Sequence, residues 1–201
     1  MRTFRASAID FLRPLPLFNE LPDSEMRQLE AMTEHKTIKK NAYVFRSGDA
    51  SDAVYILVKG IIKIGNQAED GREVIKHILH PMAIFGELGL ANESKRQDCA
   101  QAMEEVQVFR IPVSEFQKLM QCNYKLAMSV LAMIGGRLKR VEDRLESLMF
   151  KDARERIIDF LRDSATKQGK RVGYELLIKH CYTQQDIANI TGTSRQTVTS
   201  V

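Results

Sequence analysis

The sequence predicts an α+β protein in which a β jelly roll is followed by one long helix and then by two short helices joined by a tight turn. Three patterns predict this order. From Thr37 to Ile111, β-branched and aromatic residues alternate with polar ones and are punctuated by glycines. After Pro112 the apolar residues recur at helical spacing for over thirty residues. Residues 182–201 carry the start and stop signals of two short helices.

The N-terminal part is predicted to be helical before the strands begin. Met26, Leu29 and Met32 share one side of a segment that starts with Pro and Asp, which is a typical helix start. The clearest strands are predicted at residues 54–58, 61–64, 74–79 and 106–111. Many short strands separated by about ten residues indicate a compact jelly roll.

The long helix carries apolar residues at alternating steps of four and three, which is a heptad seam. The seam consists of Ala127, Leu131, Ile134, Leu138, Val141, Leu145 and Leu148. One small barrel cannot bury so long a stripe, although the first turns of the helix are expected to pack on it. We therefore expect the same helix of a second copy as the partner, in a parallel coiled coil and a two-fold homodimer.

The C-terminal part is predicted to contain a helix from Ala153 to about Thr166, capped by Asp152, then a loop over 169–173 and a short strand or extended segment over 174–178. The predicted domains are 1–122 for the jelly roll with its N-terminal helices, 123–150 for the dimerisation helix, and 151–201 for the rest.

The last two helices have the signals of a helix-turn-helix. Thr183 can cap the first with Asp186, Gly192 stands where a helix ends in a left-handed residue, and Ser194 can cap the second. Such a motif, here of the winged-helix type, places the second helix in the major groove of double-stranded DNA. The residues expected to contact DNA are Thr183, Gln185, Ser194, Arg195, Gln196, Thr199 and Ser200. A recognition helix of about two turns or more is expected, so the sequence is predicted to stop inside the motif.

Composition excludes several classes of protein. The chain is 44% hydrophobic and 28% charged, with a net charge of +4. From Lys151 onward there are nine basic and six acidic residues, so this part carries +3 of the net charge, which suits a nucleic-acid partner. No apolar run is long enough to span a bilayer and no signal core is present, so a cytoplasmic protein without a membrane partner is expected. Cys99, Cys122 and Cys181 are odd in number and far apart, which argues against disulfides and clustered metal ligands. We assign no catalytic residue and no metal ligand, and we expect no enzyme.

The order of these parts resembles the cyclic-AMP receptor (CRP/FNR) family of bacterial transcription regulators, over essentially the whole chain. Phe85-Gly-Glu-Leu-Gly-Leu90 is similar to the family's phosphate-binding cassette, Arg96 follows it, and Thr193-Ser-Arg-Gln-Thr-Val198 is similar to its recognition helix. The resemblance implies a cyclic-nucleotide-binding-like jelly roll, a homodimer, a two-fold DNA site and RNA polymerase as a further partner. Gln196 stands where members often have Glu, and Gln prefers adenine, so the half-site is expected to differ there.

The resemblance also implies an effector pocket, from which this chain departs. In the family, the residues at the positions of Gly86 and Glu87 bind the ribose, and the arginine at the position of Arg96 forms an ion pair with the cyclic phosphate. An Asp close to the phosphate would repel it, and the adjacent Thr-Ser pair that contacts adenine is replaced. If an effector binds, its expected contacts are Gly86, Glu87, Leu88, Arg96, Gln97, Asp98, Val141 and Glu142.

We therefore expect no certain cofactor and a regulator that does not depend on cyclic AMP, with a cyclic nucleotide or another small effector left open. In an empty pocket, Gly86 and Glu87 would shape a turn and Arg96 would pair with Glu87. The alternative interpretation of the whole chain is a cyclic-nucleotide-binding regulatory module that acts on a protein partner.

Overall fold

The computed structural model describes residues 8–68, 72–178 and 182–201, and it has the predicted α+β architecture. Two short helices come first, α1 (Ala8–Leu12) and α2 (Asp23–Ala31). Met26 and Leu29 are buried on one face of α2, as their spacing predicts.

Eight strands follow in the described part of the chain and form two four-stranded sheets. They are β1 (Glu34–Ile38), β2 (Tyr43–Phe45), β3 (Ala53–Lys59), β4 (Ile62–Gln67), β5 (Glu73–Leu79), β6 (Ile84–Phe85), β7 (Cys99–Ala102) and β8 (Val106–Pro112). One sheet has the order β1-β8-β3-β6 and the other β2-β7-β4-β5. All four predicted strand segments are confirmed as β3, β4, β5 and β8. The other four are short or, like β1, almost fully exposed, so they lack a strong apolar alternation.

Strand β3 lies between two hydrophobic cores, because successive side chains of a strand point to opposite faces. Val54, Ile56 and Val58 belong to a core formed with the N-terminal helices. Tyr55 and Leu57 belong to a second core, which also includes residues of the other sheet. This double burial explains why β3 reads as a continuous apolar run.

The helical region after Pro112 is divided, which corrects the prediction of one uninterrupted helical period. Helix α3 (Val113–Cys122) ends at Asn123, whose backbone is extended with φ −128° and ψ 100°. The Asn123 side-chain oxygen accepts a hydrogen bond from the Leu126 amide at 3.0 Å and so caps helix α4 (Tyr124–Phe150). Asn123 has the short polar side chain that favours a cap over a helix interior.

The C-terminal part begins with α5 (Ala153–Gln168), which starts in the predicted cap: Asp152 and Glu155 form a reciprocal capping box. A hairpin of β9 (Lys170–Val172) and β10 (Glu175–Leu177) follows. The prediction of a plain loop over 169–173 was therefore wrong, because pairing with β10 makes a strand of a segment with no periodicity of its own. Helices α6 (Gln184–Thr191) and α7 (Arg195–Ser200) complete the chain.

The described residues group into two compact units, one within the ranges 1–64 and 78–137 and one within the ranges 65–77 and 138–201. The predicted boundaries after residues 122 and 150 stay predictions. Within the described ranges, no helix is long and apolar enough to cross a membrane, and no three potential ligand side chains are grouped to hold a metal ion. Cys99 and Cys122 are free thiols, while Cys181 lies outside the described residues.

Candidate functional site

The cassette segment forms a tight turn that only glycine suits at its start. Gly86 has φ +72° and ψ 17°, in the left-handed region, and the short 3₁₀ helix Glu87–Ala91 follows it. A Cβ atom at Gly86 would lie 2.9 Å from Nη1 of Arg96. The glycine therefore permits both the turn and the close approach of the Arg96 guanidinium.

Arg96 is buried, with 3% of its surface exposed, and its guanidinium is held by backbone carbonyls. Nη1 donates to the Gly86 oxygen at 2.8 Å and Nη2 donates to the Ala53 oxygen. The guanidinium carbon lies 4.4 Å from the centre of the Phe45 ring, a cation–π contact. Burial lowers the pKa of Arg96, although nearby acidic groups, Tyr55 first among them, act in the opposite direction. Nε is buried and makes no hydrogen bond to the described residues.

Glu87 pairs with Arg137, a residue of α4 that sequence reasoning missed. The Glu87 carboxylate is buried and accepts a hydrogen bond from Nη1 of Arg137, whose Nη2 donates to the Ile84 oxygen. The predicted pair of Arg96 with Glu87 was therefore wrong, because each side chain has a different partner. No sequence motif marks Arg137, since fifty residues separate it from Glu87.

Three aromatic rings lie together beside Arg96. Tyr55 and Phe85 are stacked, with ring centroids 5.3 Å apart and planes 23° apart, and Phe45 lies 6.1 Å from Phe85. All three are buried. Sequence reasoning missed Phe45 and Tyr55 because alternating aromatic residues in strands are typical of any β core.

The remaining predicted pocket residues are less enclosed. Leu88 is 44% exposed, Gln97 is exposed with its side-chain amide 3.3 Å from the Lys95 oxygen, and Asp98 is half-buried. Val141 and Glu142 lie at exposed positions of α4 within the other compact unit. The structure thus brings together Gly86, Glu87 and Arg96, while the effector role of all eight residues stays a prediction. A buried guanidinium whose Nε makes no hydrogen bond to the described residues suits an anion.

The predicted seam lies largely on the open face of α4. Leu131, Leu138 and Leu145 are each about 60% exposed, and Val141 and Leu148 are also exposed. Ile134 is half-buried against the first core, so its side chain also serves the jelly roll. On another face of the same helix, Leu126 and Val130 are buried in that core.

The last two helices have the geometry that their sequence signals predict. Thr183 and Asp186 form a capping box, and Ser194 accepts a hydrogen bond from the Thr197 amide at 3.1 Å. Gly192 ends α6 in the left-handed conformation, with φ +65° and ψ 42°. Buried Ile187 packs one face of α6 into the unit. The motif is thus a well-capped helix-turn-helix preceded by a β hairpin.

Arg195 and Gln196 are exposed at the start of α7, and neither side chain makes a hydrogen bond within the described part of the chain. Together with Thr199 and Ser200 they line an open depression. The Thr199 hydroxyl can donate to Gln184 of α6 at 3.2 Å or to the Arg195 oxygen at 3.0 Å. This leaves Arg195 and Gln196 as the most available side chains of α7.

The other predicted DNA contacts already bond within the protein. The Thr183 amide and hydroxyl both donate to Asp186, at 2.9 and 2.7 Å. The Gln185 side chain donates to Asn189 at 2.7 Å, and Ser200 donates to the Thr197 oxygen at 2.9 Å. A phosphate at Thr183 would have to replace Asp186 as the acceptor. These DNA contacts stay predictions.

Comparison with known proteins agrees with both parts of this architecture. The model of the cyclic nucleotide-binding domain family matches residues 35–123. The global nitrogen regulator of Synechococcus elongatus is 31% identical over 192 residues, which cover 92% of this chain and 82% of that protein. The CRP-like cAMP-activated global transcriptional regulator of Mycobacterium tuberculosis is 29% identical over 182 residues, covering 90% of this chain and 81% of the relative.

Solved structures extend the similarity to the fold. FixK2 from Bradyrhizobium japonicum superimposes with a TM-score of 0.75 at 23% identity, covering 84% of this chain and 81% of that chain. The transcriptional regulator DNR from Pseudomonas aeruginosa matches with a TM-score of 0.59 at 26% identity, over 98% of this chain and 86% of its own. These similarities extend over most of the chain, and this chain belongs to the CRP/FNR family of bacterial DNA-binding transcription regulators.

Proposed function

We propose that this chain acts as a homodimeric, sequence-specific DNA-binding regulator whose binding to DNA does not depend on cyclic AMP. One observation carries the proposal. Both polar side chains that the family uses for the ribose and the phosphate are engaged by the protein's own atoms: Glu87 by Arg137, and Arg96 by the Gly86 and Ala53 carbonyls.

A cyclic nucleotide would have to compete with these contacts. Hydrogen bonds to charged groups contribute about 1.5–3 kcal/mol each, so rearranging several of them takes much of the binding energy of a small ligand. Adenine would gain little in return, because Val141 offers no hydrogen-bonding group and Glu142 adds a negative charge. The relatives do not decide the matter, since both a cAMP-activated regulator and global nitrogen regulators are among them.

The homodimer is supported by the exposed seam of α4. Leu131, Leu138 and Leu145 follow one another at seven-residue intervals and leave more than half of their surface open. Such a stripe is unfavourable in water and fits the same stripe of a second copy in knobs-into-holes packing. A two-fold dimer would present two recognition helices to half-sites about one helical turn apart.

Sequence reading is assigned to α7. Arg195 is suited to two hydrogen bonds with guanine and Gln196 to two with adenine. Both side chains are exposed and make no hydrogen bond to other described residues, so they can turn to a base edge without breaking a hydrogen bond. The proposal also includes RNA polymerase as a partner, because the protein is proposed to act as a transcription regulator of this family.

The test starts from a pool of random double-stranded DNA from which the wild-type protein selects its site without added ligand. Affinity for that site is then measured with and without cyclic AMP at millimolar concentration. We expect equal affinities, and a loss of selective binding in Arg195→Ala but not in Arg162→Ala, an exposed arginine of α5. An increase of about tenfold or more with cyclic AMP would overturn the ligand independence. A protein that selects no DNA but binds cyclic AMP would favour the regulatory module instead.

A further inference from the structure

Two arginines occupy the carbonyl groups at the C-terminal end of α6, directly before the turn to the recognition helix. The last carbonyls of a helix have no partner within the helix. Here Nη2 of Arg144 donates to the Ile190 oxygen at 2.5 Å. Nε and Nη2 of Arg156 donate to the Thr191 and Gly192 oxygens at 3.0 and 3.3 Å. Three successive carbonyls thus each accept from a guanidinium.

Arg144 holds a second element at the same time. Its Nη1 donates to the Lys76 oxygen at 2.6 Å, and its Nη2 also lies 3.1 Å from the Ile75 oxygen. Both acceptors are backbone atoms of β5, in the segment that groups with residues 138–201 in one compact unit. One side chain of α4 therefore joins the backbone of β5 to the C-terminal end of α6.

The charge and burial of Arg144 fit a connecting role. Arg144 is half-buried, and this burial lowers the pKa of its guanidinium. A positive charge at a helix C-terminus is favourable to the helix dipole. A second link runs in parallel, because the Asn189 side chain of α6 donates to Glu73 of β5 at 3.1 Å.

This connection leaves the DNA-reading surface open. Arg144 and Glu73 contact residues 189–190 of α6, whereas the exposed depression is lined by Arg195, Gln196, Thr199 and Ser200. The contact therefore does not cover the recognition helix. It restrains the end of α6, and only Gly192 to Ser194 separate that end from α7.

We propose that Arg144 is a positioning residue for DNA reading, which sets the start of the recognition helix by joining the C-terminal end of α6 to strand β5. The inference rests on the proposed DNA binding and adds to it a residue that makes no contact with DNA. The planar guanidinium is essential, because an ammonium group lacks the fixed fork that reaches three carbonyls at once.

The first test needs no DNA. Hydrogen exchange is compared in wild type, Arg144→Ala, Arg144→Lys and the control Arg140→Ala, an exposed arginine one turn earlier on α4. We expect backbone amides of residues 73–77 and of residues 184–191 to exchange about tenfold faster in both Arg144 variants. Exchange in the buried strand β3 should stay unchanged, which shows that global stability is not altered. The control should match wild type. Faster exchange in only one of the two segments, or in neither, would overturn the inference.

The second test uses the site selected by the wild-type protein and random DNA of equal length. We expect both Arg144 variants to lose about tenfold in affinity for the site, with little change on random DNA. The slope of log affinity against log salt should stay the same, whereas loss of a phosphate contact lowers it by about one. An Arg144→Lys variant with wild-type affinity would overturn the role of the fork. If wild type selects no DNA, the proposed function fails, and hydrogen exchange still decides whether Arg144 joins the two elements.

Discussion

Replacing Leu138 by alanine is the most direct test of the proposed homodimer. Leu138 lies in the middle of the seam and leaves 59% of its surface exposed in a single chain. Full burial of a leucine side chain is worth about 2 kcal/mol, so three-fifths of it is worth about 1.2 kcal/mol per copy. Two copies lose about 2.4 kcal/mol together, which raises the dissociation constant of the dimer about 50-fold.

Sedimentation equilibrium over a concentration series measures this constant directly. The matched control is Lys139→Ala, the next residue of α4, which is exposed and lies off the seam. We expect the control to dissociate like wild type. A Leu138→Ala dimer within about twofold of wild type, or an equal weakening in Lys139→Ala, would refute the argument that α4 meets its copy along this stripe.

Three further substitutions test local features. Gly192→Ala should lower the free energy of unfolding by about 1 kcal/mol or more, measured by thermal unfolding, because φ is +65° there and the added Cβ would lie 3.3 Å from the Leu148 side chain. Asp152→Ala removes the capping box of α5 and should cost about 1 kcal/mol in the same measurement. Arg96→Ala leaves two backbone carbonyls without a donor and should cost about 2–4 kcal/mol in urea unfolding.

Each substitution has a control in this chain. Gly135→Ala lies in α4, where the added Cβ meets nothing within 4 Å, and should not destabilise the protein. A loss there equal to that in Gly192→Ala would show that backbone conformation is not the cause. Asp143→Ala, at an exposed position of α4, should be nearly neutral. Arg46→Ala removes an exposed arginine 4.4 Å from the Tyr43 ring and should change stability little. A loss of stability there equal to that in Arg96→Ala would show that the burial of Arg96 is not the cause of its effect.

Periodicity predicted the elements that bury a regular face. The strands β3, β4, β5 and β8 were evident from spacing alone, since side chains that point to one face of a strand repeat at two residues. The apolar stripe of α4 was evident from its helical spacing in the same way, and its burial against a second copy stays a proposal. Strand β1 was not singled out, because it is an exposed edge that is held by backbone pairing with β8. Backbone pairing leaves no trace in side-chain hydrophobicity, and β9 was missed for the same reason.

Residue type predicted the conformations that depend on one residue. Gly192 is in the left-handed region, and Asp152, Thr183 and Ser194 cap helices. Each of these features depends on neighbours within a few residues. Asn123 was missed as a cap because the apolar spacing continues across it, although its residue type is the one that favours a helix start.

The sequence by itself determined the family, the order of the parts and the local turns and caps, because these depend on short-range spacing and on the conformational preference of single residues. The tertiary structure alone decided the partners of the buried charges. Glu87 pairs with Arg137, fifty residues away in the sequence, rather than with Arg96. Arg144 joins β5 to α6 by contacts with Ile75, 69 residues before it, and Ile190, 46 residues after it. A buried charge takes whichever partner the packed chain brings within hydrogen-bonding distance, and that choice follows from the fold and not from sequence proximity.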